Sequence, residues 1–264
     1  MSTLRTTTTS NLASLGATST AGDTYFETTN KRIVVWDGSA WTLYNNDGVS
    51  APYANAYSVY YDGVGDYSTL GSTISFSGEF TISTWLNFGT LSGSLQVFFG
   101  EVGSYIYMMY NGANSSIYFV PAAGQTAIFT SVSSWNTSEW HHFMVTRNSS
   151  NTITLYLDGS SAQTGTNSNT LQFRSFGQSN YYYTGYIDEY AVWDSDQSAN
   201  IGDIRDSSLG TPKNLNDMST APLHWWRMGD SDSGSGTTIT DIGSAATTVD
   251  ATLVNSVISS AESA

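Results

Sequence analysis

The 264-residue chain has no cysteine, only four prolines and only eight basic residues. Without cysteine no disulfide framework can staple the fold, so an apolar core has to hold it, and a chain of this length can build one. The redox compartment is left open. Eight Lys and Arg against 22 Asp and Glu give a net charge of −14. Nothing there can neutralise a run of phosphates, so no nucleic-acid partner is expected. No apolar run approaches a membrane-spanning length, which argues against membrane insertion. The opening residues, Met1-Ser2-Thr3-Leu4-Arg5-Thr6, lack the apolar stretch of a secretory leader, and export by that route is not expected. The Asn-x-Ser sites at Asn114, Asn136 and Asn148 are accordingly read as chance matches.

What the chain does have is aromatic side chains: 17 Tyr, 11 Phe and 8 Trp, 14% of residues, against 11% charged. Disordered chains lack such a load. Abundant Ser, Thr, Asn and Gly beside aromatic and β-branched residues suit strands and turns and supply helices poorly. Sixteen of the acidic residues are Asp, many in turn-like contexts. Most serve turn chemistry, though carboxylate oxygens are also what a hard cation takes.

Residues 1–50 read as an N-terminal arm followed by a small β-hairpin module. The arm, to about residue 22, is Thr- and Ser-rich, with Leu4, Leu12 and Leu15 as its only large apolar side chains. It is expected to order only against another chain, as a strand added to a sheet edge. Strands follow at 23–26, 33–36 and 41–44, with Asp37-Gly38 as a hairpin turn. Asn45-Asn46-Asp47-Gly48 and Pro52 mark a linker.

From about residue 53 short strands follow at close spacing, the pattern of an antiparallel sandwich. Alternation puts Ile82, Leu86 and Phe88 on one face and Trp85 on the other. Residues 140–157 form a hairpin candidate, and Asn111-Gly112 marks another. One or two helical turns are expected near 198–205, where Ile201 and Ile204 lie three apart. Residues 160–180 and 231–250 read as loops or weak edge strands.

Three segments in order resemble the laminin-G-like (concanavalin A-like) jelly-roll family. They are Tyr60-Tyr61-Asp62-Gly63-Val64-Gly65-Asp66-Tyr67; Trp140-His141-His142-Phe143 through Arg147 with Leu155-Tyr156-Leu157-Asp158-Gly159; and Gly185-Tyr186-Ile187-Asp188-Glu189-Tyr190. A fourth, His224-Trp225-Trp226-Arg227-Met228-Gly229-Asp230, resembles what precedes the first segment in that family but here follows the whole domain. The resemblance implies an all-β, two-sheet jelly roll over 51–264, with 221–258 as a displaced, permuted edge element. That element either closes its own sandwich or pairs with a neighbouring subunit; the first needs less. Residues 22–41 resemble short modules of phage tail-fibre and other virion proteins. This implies a virion part made in the host cytoplasm and released by lysis. It would be a short tail appendage or capsid decoration, anchored to other virion proteins through residues 1–50, with a homotrimer as the natural assembly. A free carbohydrate-binding module is the alternative.

For chemistry, the family resemblance nominates one calcium ion near Asp188 and the Asp62/Asp66 loop. Tyr181, Tyr182 and Tyr183, with Asn180 and Gln178, form the candidate contact patch for a host-surface glycan or a protein, since three consecutive tyrosines cannot all point inward. Tyr105, Tyr107 and Tyr110 make a second patch. No hydrolase is expected. None of the six Glu begins the Glu-x-Asp-x-(x)-Glu pattern of glycan-cleaving jelly rolls, and Asp188 and Glu189, being adjacent, would face opposite ways on a strand. His141, His142 and His224 have no metal-ligand spacing and read as polar residues near a sheet edge.

Overall fold

A computed structural model describes residues 5–7, 23–27, 32–36, 41–43, 55–91, 93, 95–100, 106–121, 126–137, 139–177, 181–260 and 263–264. The chain divides into two compact units, Met1–Ala54 and Asn55–Ala264.

In the first unit, β1 (Arg5–Thr7), β2 (Thr24–Glu27), β3 (Arg32–Trp36) and β4 (Trp41–Leu43) form one sheet in that order. The last three strands are antiparallel, with Trp36 opposite Trp41. The expected Asp37-Gly38 turn lies outside the described residues. β1 corrects the expectation for the arm at residues 5–7 alone; residues 1–4 and 8–22 lie outside the described residues. Residues 5–7 pair in parallel with β2 of the same chain, because a threonine-rich strand asks only for an open backbone edge.

The second unit contains β5 (Ser58–Asp62), β6 (Tyr67–Phe76), β7 (Phe80–Phe88), β8 (Leu95–Gly100), β9 (Tyr107–Asn111) and β10 (Ser116–Val120). β11 (Ile128–Ser131), β12 (Trp140–Arg147), β13 (Thr152–Leu157), β14 (Ser160–Thr166), β15 (Leu171–Phe176) and β16 (Thr184–Trp193) follow. After α1 (Ile201–Ile204) come β17 (His224–Trp226), β18 (Thr238–Ile239), β19 (Ala251–Val254) and β20 (Val257–Ser259). One layer runs β14-β13-β12-β7-β16-β5-β20. β5 lies beside the first half of β16 and β17 beside its second half. The other layer joins β11-β10-β9-β8 to β15-β6-β19-β18. The seam is β8 against β15, where Gly177 N donates to Phe98 O at 3.1 Å and Ile106 N to Gln172 O at 2.8 Å. This is the antiparallel sandwich that the strand spacing predicts.

Aromatic rings fill the space between the layers. Phe80 meets Phe119 at 6.4 Å, Phe88 meets Tyr110 at 5.4 Å, Phe98 meets Phe143 at 5.7 Å and Phe176 meets Tyr190 at 4.3 Å. Each such ring hides roughly 150–250 Å² on burial, which is why the chain carries so many. Arg147 closes one end of the core. Fully buried, it donates to the carbonyls of Gly78, Asn169 and Phe76 and lies 5.1 Å from the Phe80 ring centre.

The β7 alternation is as expected, yet every residue of that strand is buried. The segment after β16 covers its far face: Ile204, Pro212 and Leu215 line one crevice with Trp85. The helical signal at 198–205 becomes a 3₁₀ turn followed by α1. Residues 231–250 are mostly turns, and β14 is an exposed edge, both as expected. β15 is not. It lies between β6 and β8, with Leu171, Phe173 and Phe176 buried, an alternation too short to stand out among the surrounding Ser and Asn.

The C-terminal segment completes its own sandwich. β17 pairs with β16, β19 with β6 and β20 with β5. Both indoles are buried; Trp226 packs on Phe176 at 5.0 Å and on His224 at 5.6 Å. Trp226→Ala should therefore cost roughly 3–5 kcal/mol, as large-to-small changes in packed cores do. Urea unfolding measures this, and an unchanged midpoint would contradict the placement of the strand.

Candidate functional site

Along β16, Asp188 lies opposite Trp85 but Ala191 lies opposite Ser83, so three steps on β16 match two on β7. The extra residue makes a β-bulge, and Glu189 takes a positive φ of 47°. Alternation would send Asp188 and Glu189 to opposite faces. The bulge cancels it. Both carboxylates converge with that of Asp230, their ligand atoms within 4.8 Å of one another.

The cluster is closed by residues from distant parts of the unit. Asp188 accepts from Asn55 Nδ2 at 2.8 Å, Ala264 N at 3.1 Å and Glu189 N at 2.8 Å. Glu189 accepts from the Trp225 indole at 2.7 Å and Arg227 Nε at 3.1 Å. Asp230 accepts from Ala56 N at 3.0 Å. Burial, and then the Glu189 charge, hold the Asp188 carboxyl well above the usual carboxylate range. Burial also raises Asp230, against the pull of the Ala56 amide and Arg227.

Arg227 pairs with Glu189 and Asp230, and the Oδ1 of Asn55 is buried without a hydrogen-bond partner. Carboxylate and amide oxygens are the donors that a hard cation takes. Asp188, Asp230 and Asn55 therefore fit a metal ion, and Glu189, held by Trp225 and Arg227, stands beside them. As a hydrolytic pair the cluster fits poorly. Asp188 is fully buried and Glu189 nearly so, and glycoside cleavage needs two carboxyls flanking a bound sugar.

Other expected site residues lie elsewhere. Asp62 is opposite Thr184, four positions along β16 from Asp188. It accepts from Val64 N at 2.6 Å, and Asp66 accepts from Asp62 N at 2.7 Å. Both serve the turn, and the structure does not bring them to Asp188. Burial raises the Asp66 carboxyl. Of the tyrosine run, Tyr181 is exposed and Tyr182 half-buried, but Tyr183 is a core residue whose hydroxyl donates to Asn87 O at 2.9 Å. Asn180, Gln178 and Tyr105 lie outside the described residues. Tyr107 is half-buried, and Tyr110 belongs to the core.

The histidines are buried rather than set near an open edge. His141 Nδ1 lies 2.9 Å from Asp158 Oδ2, while Asp158 Oδ1 accepts from His142 N at 2.9 Å. His224 Nδ1 lies 2.6 Å from Asp241 Oδ2, while Asp241 Oδ1 accepts from Trp225 N at 3.0 Å. Both pairs span 17 positions and clamp a loop to a strand. Burial works against each carboxylate, but these hydrogen bonds outweigh it and lower Asp158 and Asp241. Burial and then Arg205 push His142 down to about 3, so it stays neutral.

Asp230 and Asn55 were not foreseen as site residues. The displaced His224–Asp230 motif held a signal for the first; a lone Asn before β5 offers none.

A laminin-G family model, described as the concanavalin A-like lectin/glucanases superfamily, matches residues 62–200. No curated protein sequence matches the chain. Among solved structures, a Bacteroides ovatus protein provisionally described as carbohydrate binding is 13% identical, with a TM-score of 0.60 over 92% of this chain and 70% of that one. A heptameric SAP-like pentraxin from Limulus polyphemus is 13% identical, with a TM-score of 0.44 over 58% and 83%. Domains LG4-5 of the mouse laminin alpha1 chain are 13% identical, with a TM-score of 0.42 over 61% and 48%. At these identities the likeness is one of fold.

The carboxyl shifts set the pH dependence of stability. Asp188, Asp230 and Asp66 are raised, so the stability they contribute is present at low pH and lost as pH rises through their folded values. Asp158 and Asp241 are lowered, so theirs is present above the ordinary carboxylate value and lost below it. With a chelator present, the melting temperature should rise from neutral pH into the mildly acidic range and then fall near the ordinary carboxylate value. Asp188→Asn should shrink the rise. A flat profile shared by both proteins would refute the assignment.

Proposed function

The chain belongs to the concanavalin A-like lectin/glucanases superfamily, and on that premise we propose that it is a non-enzymatic, carbohydrate-binding jelly roll carried on a bacteriophage particle. The observation that carries the binding reading is the sealed acidic cluster. Among the described residues the one group of three converging acidic side chains has Asp188 and Glu189 buried, so it suits support of the fold rather than bond cleavage. The Bacteroides protein, described as carbohydrate binding, supports the same reading.

Asp188, Asp230 and Asn55 hold one calcium ion in this proposal, whose charge offsets the buried carboxylates. Binding to the native state alone stabilises it, by about 2.7 kcal/mol at a hundredfold excess over Kd. The virion setting rests on residues 22–41, whose sequence resembles phage modules. In this reading residues 1–50 join the chain to other virion proteins, and the jelly rolls, in a homo-oligomer that we take as a trimer, face a host-surface glycan or stabilise the particle.

The binding half is tested by glycan-array measurement on the intact chain with calcium. Selective retention of glycans without their hydrolysis is expected; no binding, or release of reducing ends, would overturn it. The virion half is tested by deleting residues 1–50 and assaying purified particles. Loss of the protein from particles is expected, and normal incorporation would remove that half.

A further inference from the structure

The outward face of the β8–β11 sheet carries an aromatic row that neither the core nor the acidic cluster uses. Ile117, Phe119 and Ile128 point into the core, as do Met108 and Tyr110. Their strand neighbours Met109, Tyr118 and Phe129 therefore point outward. Cross-strand register aligns these three, Met109 opposite Tyr118 and Tyr118 opposite Phe129. Tyr118 and Phe129 are stacked, with ring centres 4.9 Å apart and planes 19° from parallel. Phe129 is 49% exposed.

A half-exposed phenyl ring stacked on a tyrosine is a flat apolar platform, and polar groups border it. The next row along the strands is Asn111, Ser116 and Ser131; Ser116 is buried and donates to Asn114 O, so Asn111 and Ser131 supply the accessible groups. From the hairpin beyond, Asn114 donates its amide to the Tyr118 hydroxyl at 2.5 Å, which holds that ring in place. None of the residues in β8 to β11 is charged, although the chain carries a net charge of −14. An acidic polysaccharide would be repelled by the protein as a whole and would meet no cation within β8 to β11. A neutral sugar meets a ring for its C–H face and hydroxyls and amides for its rim.

Building on the carbohydrate-binding reading, we propose that Phe129 and Tyr118 form the stacking platform for a neutral glycan, with Met109 extending the row. Strands about 4.8 Å apart make the row roughly 10 Å long, enough for a short oligosaccharide. The partner is an uncharged polysaccharide segment laid across β9, β10 and β11.

Affinity electrophoresis tests this, with neutral β-glucan, xylan, mannan and galactan as probes and alginate as the acidic comparison. The wild-type chain should be retarded by at least one neutral polymer and not by alginate. Phe129→Ala and Tyr118→Ala should weaken that retardation about tenfold, while Tyr181→Ala, at the other exposed aromatic among the described residues, leaves it unchanged. Phe129→Trp should keep binding and shift its indole fluorescence when the polymer is added, which controls for a folding defect in the alanine variants. If the wild type binds but Phe129→Ala and Tyr118→Ala bind equally well, the platform is wrong and the carbohydrate-binding reading stands. If the wild type binds only alginate, the platform is likewise wrong. Retardation by none of the polymers overturns both.

Discussion

The extra residue at the β16 bulge fixes more of this molecule than any other local feature. β16 touches β7 along its length and shares its other edge between β5 and β17. A regular strand there would put one of two neighbouring acids into the core and the other outside it. The bulge turns both toward one place, and Asn55, Ala56, Ala264, Trp225 and Arg227 gather around them and Asp230. The first and last described residues of the second unit thus meet at its central strand. Burying several carboxylates together is costly unless they are hydrogen-bonded and their charge is offset. Arg227 supplies part of the offset, and a cation would supply the rest.

The same economy of charge appears elsewhere in the fold. Arg147 is buried against three carbonyls and a phenyl ring. Asp158 bonds a histidine and one backbone amide, and Asp241 a histidine and three, each fastening a loop to the strand that carries the histidine. Polar groups inside this sandwich mostly hold chain segments in register. What remains for recognition is the outside of the sheets, where Phe129 and Tyr181 are the exposed aromatic side chains among the described residues.

Strand alternation made the sandwich legible in the sequence, because one-sided burial leaves a period of two at Ile82, Leu86 and Phe88 and again at Ile153, Leu155 and Leu157. β15 escaped because its apolar positions are few and lie in a polar stretch. The acidic site was half legible. Asp188 could be nominated from its motif, but its partners could not, since Asp230 and Asn55 reach it through tertiary pairing that no local pattern encodes. Glu189 was set aside by the alternation rule, and the bulge is where that rule fails. The tyrosine run was read correctly as unable to bury all its rings, but alternation alone did not say that Tyr183 was the one inside.

If the bulge cluster joins the ends of the second unit and is built to take a cation, its parts should respond to that cation together. Native-state hydrogen exchange with and without calcium measures this directly. Calcium should slow exchange in residues 55–62, 187–192 and 224–230 in concert, with little change in β9 to β11. Exchange that is unchanged by calcium, or slowed in only one of the three segments, would contradict the account.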